Sequence, residues 1–223
     1  MSLVNTFAGE ENLIETLRPA ARQAIGEANQ IDAKRIELLK QGAAFIRKRI
    51  SEGNSAELTF VCTHNSRRSQ LSQLWAQTAA VYYGLTNVTT YSGGTEATAC
   101  NPRTVAALRR AGFSIVKSTD DKNPLYLAQI SENRPPAKVY SKVYSDEPNP
   151  QRDFAAVFAC DNALEKCPVV KGATIQLPIL FVDPKVSDGL PHESATYDER
   201  SRQIAREMFF LMSQVEARKL SSR

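Results

Sequence analysis

Eight consecutive residues, Cys62-Thr63-His64-Asn65-Ser66-Arg67-Arg68-Ser69, join a thiol, short polar side chains and two adjacent guanidinium groups. The apolar run Leu58–Val61 leads into the cysteine. Packing explains the run and leaves the polar stretch unexplained. If the run is a strand of a parallel sheet, Cys62 lies at its carboxyl end, where open α/β sheets bind ligands. The loop Thr63–Ser69 then aims several backbone N–H groups at one point. Those groups and the start of a helix after them form a cradle for a tetrahedral oxyanion. The same positive field favours a thiolate at Cys62. The planar fork of Arg68 can grip two oxyanion oxygens at once. Ser69 can donate a hydrogen bond to the charged sulfur. Cysteine, five residues, arginine and serine thus read as a nucleophile and its anion holder. A lone cysteine at a strand end is more often a small buried hydrophobe. Two arginines at a helix start, however, oppose the helix dipole unless an anion joins them.

Other residues of the stretch have milder readings. Thr63, His64, Asn65, Ser66 and Arg67 line the expected oxyanion site. His64 reads as a rim side chain, and Asn65 as a residue that tolerates positive φ in a tight loop. Arg67 either adds a second cation to the site or faces solvent, with the balance slightly towards solvent. Cys100 reads as packing.

The segment CTHNSRRS resembles the phosphate-binding loop shared by low molecular weight protein tyrosine phosphatases and thioredoxin-coupled arsenate reductases. The likeness continues through YSGGTEATACNPRTVAALRRAGF and FVDPK and covers about residues 57–215. It implies a phosphotyrosine protein phosphatase I-like fold, a four-stranded parallel sheet with flanking helices. It also implies that Cys62 attacks the oxyanion and that Asp183, in Asp183-Pro184, is the general acid. By sequence alone Asp-Pro is a common turn. The paired tyrosines that come after Asp-Pro in the phosphatases are replaced by Lys185-Val186.

The two families part ways after the nucleophilic attack, and the other cysteines bear on the choice. The spacing of Cys160 and Cys167, with Pro168 after them, resembles the reductases' shuttle pair. In that reaction a second thiol attacks Cys62 and expels arsenite, and a third carries the disulfide to thioredoxin. If residues 161–167 are helical, seven residues span about 10.5 Å. A disulfide needs Cα atoms within roughly 7 Å, so closing the pair requires local unwinding. The first expectation is therefore a thioredoxin-coupled arsenate reductase, with a role in arsenical resistance. The alternatives are a phosphatase acting on phosphate monoesters or phosphoproteins, and an oxyanion-binding regulatory module.

The elements that must position these residues are legible as periodicities. Residues 9–52 read as helical, with Ile36, Leu39, Ala43, Ile46 and Ile50 on one face and Asp32 as a cap. That face either packs on its own domain, the commoner outcome, or docks a partner. From residue 57 strands and helices alternate: strands at 57–61, 87–92, 113–118 and 153–159, a possible fifth at 173–179, and helices at 68–83, 102–110 and 194–217. The pattern implies an α/β fold with a mainly parallel sheet of four, possibly five, strands flanked by helices. Between 120 and 152, PLYLAQIS and AKVYSKVYS read as an inserted β-hairpin. The expected organisation is an N-terminal helical extension, 1–56, and a catalytic domain, 57–223.

Composition sets the outer bounds. The 223 residues are 42% hydrophobic and 23% charged, with net charge +4. Lysines and arginines are dispersed among acids, which suits a small anionic substrate better than nucleic acid. No secretory leader or membrane span is expected, and the protein is expected in the cytoplasm. With no C-x-x-C pair, and His64 far from His192, neither a structural metal nor a cofactor is expected.

Overall fold

The computed structural model describes residues 9–166 and 169–216. Strand β1 (Ala56–Cys62) is buried along nearly its whole length, as a central parallel strand must be when both faces are covered. It pairs in parallel with β2 (Val88–Gly94) on one side and β6 (Phe154–Phe158) on the other. Strand β7 (Ala173–Pro178) adds to β6, giving the order β2-β1-β6-β7. Cys62 stands opposite Gly94, and Val61 opposite Phe158. The chain therefore leaves all four strands at one edge, close to Cys62.

The strand expected at 113–118 exists but does not join this sheet. It is β3 (Ser114–Lys117), paired antiparallel with β4 (Tyr126–Gln129), which pairs with β5 (Ala137–Val139) in a separate three-stranded sheet. Only one of its four residues is buried, so it cannot serve as a two-faced parallel strand. The expected hairpin is β4–β5, but its second arm stops at Val139. The rest of AKVYSKVYS turns back along the end of β2. There Lys142 O accepts from Gly94 N at 2.8 Å, and Tyr144 N donates to Gly94 O at 2.9 Å.

The N-terminal helical stretch resolves into α1 (Arg18–Gly26) and α2 (Ala33–Ser51), linked by single 3-10 turns. Asp32 caps α2, accepting from Arg35 N at 2.9 Å. Leu39, Ala43 and Ile46 are fully buried. Helix α2 packs on the long C-terminal helix α6 (Glu193–Glu216) and on the sheet at β1 and β7. The amphipathic face of α2 is thus covered by its own chain, which removes the docking alternative. On the sheet's other connections lie α3 (Arg68–Tyr82), buried almost all round, α4 (Pro102–Arg110) and the short α5 (Asp161–Lys166). No helix among the described residues is long and apolar enough to cross a membrane.

Gly93 lets the second crossing, the segment around Tyr144, approach β2, and Gly94 makes room for the loop after Cys62. A Cβ at Gly93 would lie 2.3 Å from Tyr144 Cα, and one at Gly94 would lie 2.6 Å from Thr63 O and 2.9 Å from Asn65 N. Any side chain at Gly94 would push the loop after Cys62 out of place. Lys142, in the same crossing, is 6% exposed, with its ammonium 4.6 Å from the Tyr140 ring centroid. Burial lowers its pKa to about 8, opposed in part by Asp146.

This packing is testable at two residues. Leu39→Ala should lower stability by about 2–5 kcal/mol, because it opens a cavity at the contact of α2 with the sheet and α6. Urea denaturation should show one transition, shifted as a whole. For Lys142, both folded and unfolded states are protonated below pH 8. Between pH 8 and about 10.4 the unfolded chain alone holds the proton, so stability rises with pH through that window. Lys142→Met should raise stability at pH 7 by on the order of 2–3 kcal/mol and abolish that rise. Subtracting the variant's urea curves from the wild type's across pH 7–10.5 isolates the effect.

Candidate active site

The loop after β1 is built so that its carbonyls point outward. Cys62 O accepts from Thr95 N at 3.1 Å and Thr63 O from Glu96 N at 3.0 Å. His64 O accepts from Ser141 Oγ at 2.8 Å and Thr98 Oγ1 at 3.2 Å. Asn65 O accepts from Gln70 Nε2 at 2.9 Å. Ser66 O accepts from Asn101 N at 2.9 Å and Thr104 Oγ1 at 3.3 Å. Arg67 O accepts from Leu71 N at 3.0 Å, opening α3. Among the described residues, no backbone N–H from Thr63 to Arg67 donates to a backbone carbonyl. With each carbonyl held from outside, the amides turn towards the concave side, the arrangement an oxyanion cradle requires.

Asn65 fixes the bend. It adopts φ 46°, which asparagine tolerates. Its Oδ1 accepts from Lys142 N at 3.0 Å, and its Nδ2 donates to Ser69 Oγ at 2.8 Å. Ser69 Oγ in turn lies 3.0 Å from Cys62 Sγ. With Asn65 donating to the hydroxyl oxygen, its proton is free to point at the sulfur. A buried chain of hydrogen bonds therefore runs from Lys142 N through Asn65 and Ser69 to the Cys62 sulfur.

Arg68 reaches across the mouth of the sheet. Its Nη1 donates to Phe181 O at 3.0 Å, and its Nη2 pairs with Asp183 Oδ2 at 2.7 Å. Asp161, at the start of α5, lies 4.0 Å away on the exposed side. Asp183 also caps the 3-10 turn Pro184–Ser187 by accepting from Lys185 N at 3.1 Å. The expected anion holder and the expected acid are thus in direct contact. Arg67 does not face solvent. Its Nε donates to Tyr197 Oη at 2.7 Å and its Nη2 to Asp188 Oδ2 at 3.1 Å. These partners come from α6 and the turn after Asp183, which no local pattern around Arg67 could announce. The carboxylate of Asp188 is shared with Arg103 of α4 at 3.7 Å. Tyr197 and the cations keep its carboxyl below the usual carboxylate range against the effect of burial, and Tyr197 itself is pushed up to about 12, mainly by burial.

His64 stands at the rim, half exposed, with Nε2 3.1 Å from Glu96 Oε1. Cys160 lies two residues past the end of β6, fully buried, its Sγ 3.6 Å from Thr63 Oγ1. Cys167 lies outside the described residues. Cys100 is buried between two residues whose backbones bond to Ser66: Ala99 O accepts from Ser66 Oγ at 2.7 Å, and Asn101 N donates to Ser66 O. Burial first, and the neighbouring Cys62 second, push its thiol up to about 12. It stays protonated at neutral pH. The clamps Thr95, Thr98, Asn101, Thr104 and Ser141 are site residues that sequence reasoning misses. For all but Ser141 the only signal is the density of small hydroxylic and amide residues just after Gly93-Gly94.

Residues 57–123 match the family model for the low molecular weight phosphotyrosine protein phosphatase. An arsenate reductase of Bacillus licheniformis is 28% identical over 146 residues, which are 64% of this chain and 84% of that protein. An arsenate reductase of Bacillus cereus is 35% identical over 68 residues, 30% of this chain and 48% of the other. Among solved structures, a low molecular weight phosphotyrosine phosphatase from Vibrio cholerae O395 aligns with TM-score 0.49 and 12% identity, covering 76% of this chain and 100% of its own. The loop, the sheet order and the sequence relatives agree: the chain is similar to low molecular weight phosphotyrosine phosphatases and to arsenate reductases, and it is an enzyme of phosphatase or arsenate reductase type.

Proposed function

We propose that the protein is an arsenate reductase that runs a thiol cascade recharged by thioredoxin. The observation that carries this reading is the position of Cys160. Its sulfur lies 3.6 Å from the side chain of Thr63, the residue next to the nucleophile, just past the end of the strand beside β1. A second thiol so close to the loop has no task in ester hydrolysis and a defined one in reduction.

In the proposed cycle the Cys62 thiolate attacks arsenic of arsenate held by the loop amides and Arg68. Asp183 supplies the proton on the departing oxygen, which leaves as water. Cys160 then attacks Cys62 Sγ. The sulfur–arsenic electron pair passes to arsenic, reducing it from the pentavalent to the trivalent state, and arsenite leaves. Cys167 attacks Cys160 and frees Cys62, and thioredoxin reduces the resulting disulfide. Because α5 spans Asp161–Lys166, a bond from Cys160 to Cys167 requires that helix to unwind. A helix of six residues is weak on its own.

A second reading, hydrolysis of phosphate monoesters through a phosphocysteine, draws on the contact of Arg68 with Asp183. It uses Cys62, Arg68, Ser69 and Asp183 alike and needs neither Cys160 nor Cys167. The two readings part on the second thiol. Cys160→Ser and Cys167→Ser should each lower thioredoxin-coupled arsenate turnover by more than about a hundredfold. Hydrolysis of p-nitrophenyl phosphate should stay within about threefold of wild type. Arsenate turnover that survives both substitutions would remove the cascade and leave the phosphatase reading.

A further inference from the structure

The stretch that matches the family begins at residue 57. The helices before it nevertheless touch the site at one side chain. Arg35, in the first turn of α2, donates from Nη2 to Leu180 O at 2.5 Å. Its guanidinium carbon lies 5.3 Å from the centroid of the Phe181 ring. Its Nε lies 3.3 Å from Glu207 Oε2 on α6, with the two side chains 16% and 4% exposed.

Leu180 and Phe181 belong to the segment that runs from the end of β7 to Asp183 without helix or strand structure. Such backbone is as well placed as the groups that satisfy it. Here consecutive carbonyls are taken by arginines from different helices: Leu180 O by Arg35 of α2, and Phe181 O by Arg68 of α3. Phe181 N donates to Ala159 O at 3.1 Å, tying the same segment to the end of β6. Two residues on, Asp183 meets the other arm of Arg68. A guanidinium can meet a carboxylate, a carbonyl and a ring face together because its fork is planar and rigid, which a lysine cannot reproduce.

We propose that Arg35 is a positioning residue for Asp183, so that the N-terminal helices set the approach of the acid to the oxyanion loop. The proposal rests on reading Asp183 as the proton donor. It goes further in giving residues 1–56 a part in the reaction through a contact to main chain. Glu207 orients Arg35 from behind, and the Phe181 ring closes the open face of the guanidinium.

The test compares the full-length protein with Arg35→Met, Arg35→Lys and Leu39→Ala. Leu39 lies one turn on in the same helix, is fully buried, and has no polar group with which to hold the segment's carbonyls. Phenyl phosphate needs a proton on its leaving oxygen, whereas 2,4-dinitrophenyl phosphate departs without one. Arg35→Met should lower kcat for phenyl phosphate about ten- to a hundredfold, and for the dinitrophenyl ester by less than about threefold. Leu39→Ala should leave the ratio of the two rates at the wild-type value. Amide hydrogen exchange at Phe181 and Lys185 should be faster in Arg35→Met than in Leu39→Ala. Arg35→Lys keeps a cation beside Glu207 and should show the same selective loss in weaker form. It carries the comparison should the methionine variant fail to fold. Equal losses on both esters, or an unchanged ratio with unchanged exchange, would overturn the proposal. If wild type hydrolyses neither ester, the reading of Asp183 as a donor to esters fails separately. Exchange then decides the positioning role: faster at Phe181 and Lys185 upholds it, and equal to Leu39→Ala sinks it.

Discussion

The structure turns on the direction of a short run of peptide units. From Cys62 to Arg67 each carbonyl is bonded outward, to the β2–α4 connection, to the second crossing or to α3. A peptide's N–H and C=O point in opposite directions, so fixing the oxygens outward fixes the hydrogens inward. Left to itself such a loop would relax, because converging N–H dipoles repel one another and unpaired amides are costly. The outer bonds prevent that relaxation before any substrate arrives. On the proposed reading the loop needs no reorganisation to receive an anion, and preorganised dipoles of this kind act strongly at developing negative charge.

That requirement reaches far along the chain. The outer donors come from residues 95, 96, 98, 101, 104 and 141, so two long connections must lie against the loop. Gly93 and Gly94 permit the approach, since a side chain at either would overlap backbone within 2.3 Å. The cost of the second crossing is a buried lysine: Lys142 contributes its backbone N–H to Asn65 and its carbonyl to Gly94, while its ammonium lies over a ring face and is favoured in part by Asp146. Main-chain demands of the site thus explain an otherwise unfavourable side chain.

Much of this is legible in sequence, and the exceptions have physical causes. The thiol, the arginine and the serine are recognisable because their chemistry is local: eight residues contain nucleophile, cation and hydroxyl. The parallel sheet is legible because its central strands are apolar on both faces. Strand β3 escapes correct placement because a four-residue run shows its strand propensity and conceals its partner; its pairing is decided by β4, which lies beyond a loop. The direction of Arg67 escapes for a related reason. Its destination is set by Asp188 and Tyr197, more than a hundred residues on. The contact of Arg35 with Leu180 spans 145 positions and carries no periodic signature at all.

These long-range contacts share a logic set by charge. Arg67 and Arg68 are neighbours at a helix start, where cations are disfavoured, and each is drawn off to a carboxylate on one short stretch, Asp188 and Asp183 respectively. The repulsion between the arginines becomes a means of spreading that stretch across the loop, with one end at the mouth of the sheet and the other beneath α6. Arg35 and Glu207 repeat the pattern one layer deeper, with a buried carboxylate directing a guanidinium onto main chain. Buried ion pairs add little net stability against apolar packing. What they add here is orientation, since each arginine satisfies a carboxylate only in the rotamer that also meets its carbonyl, hydroxyl or ring. Asp183 is placed by this framework before it is placed by its own turn, and the framework draws on helices from both ends of the chain.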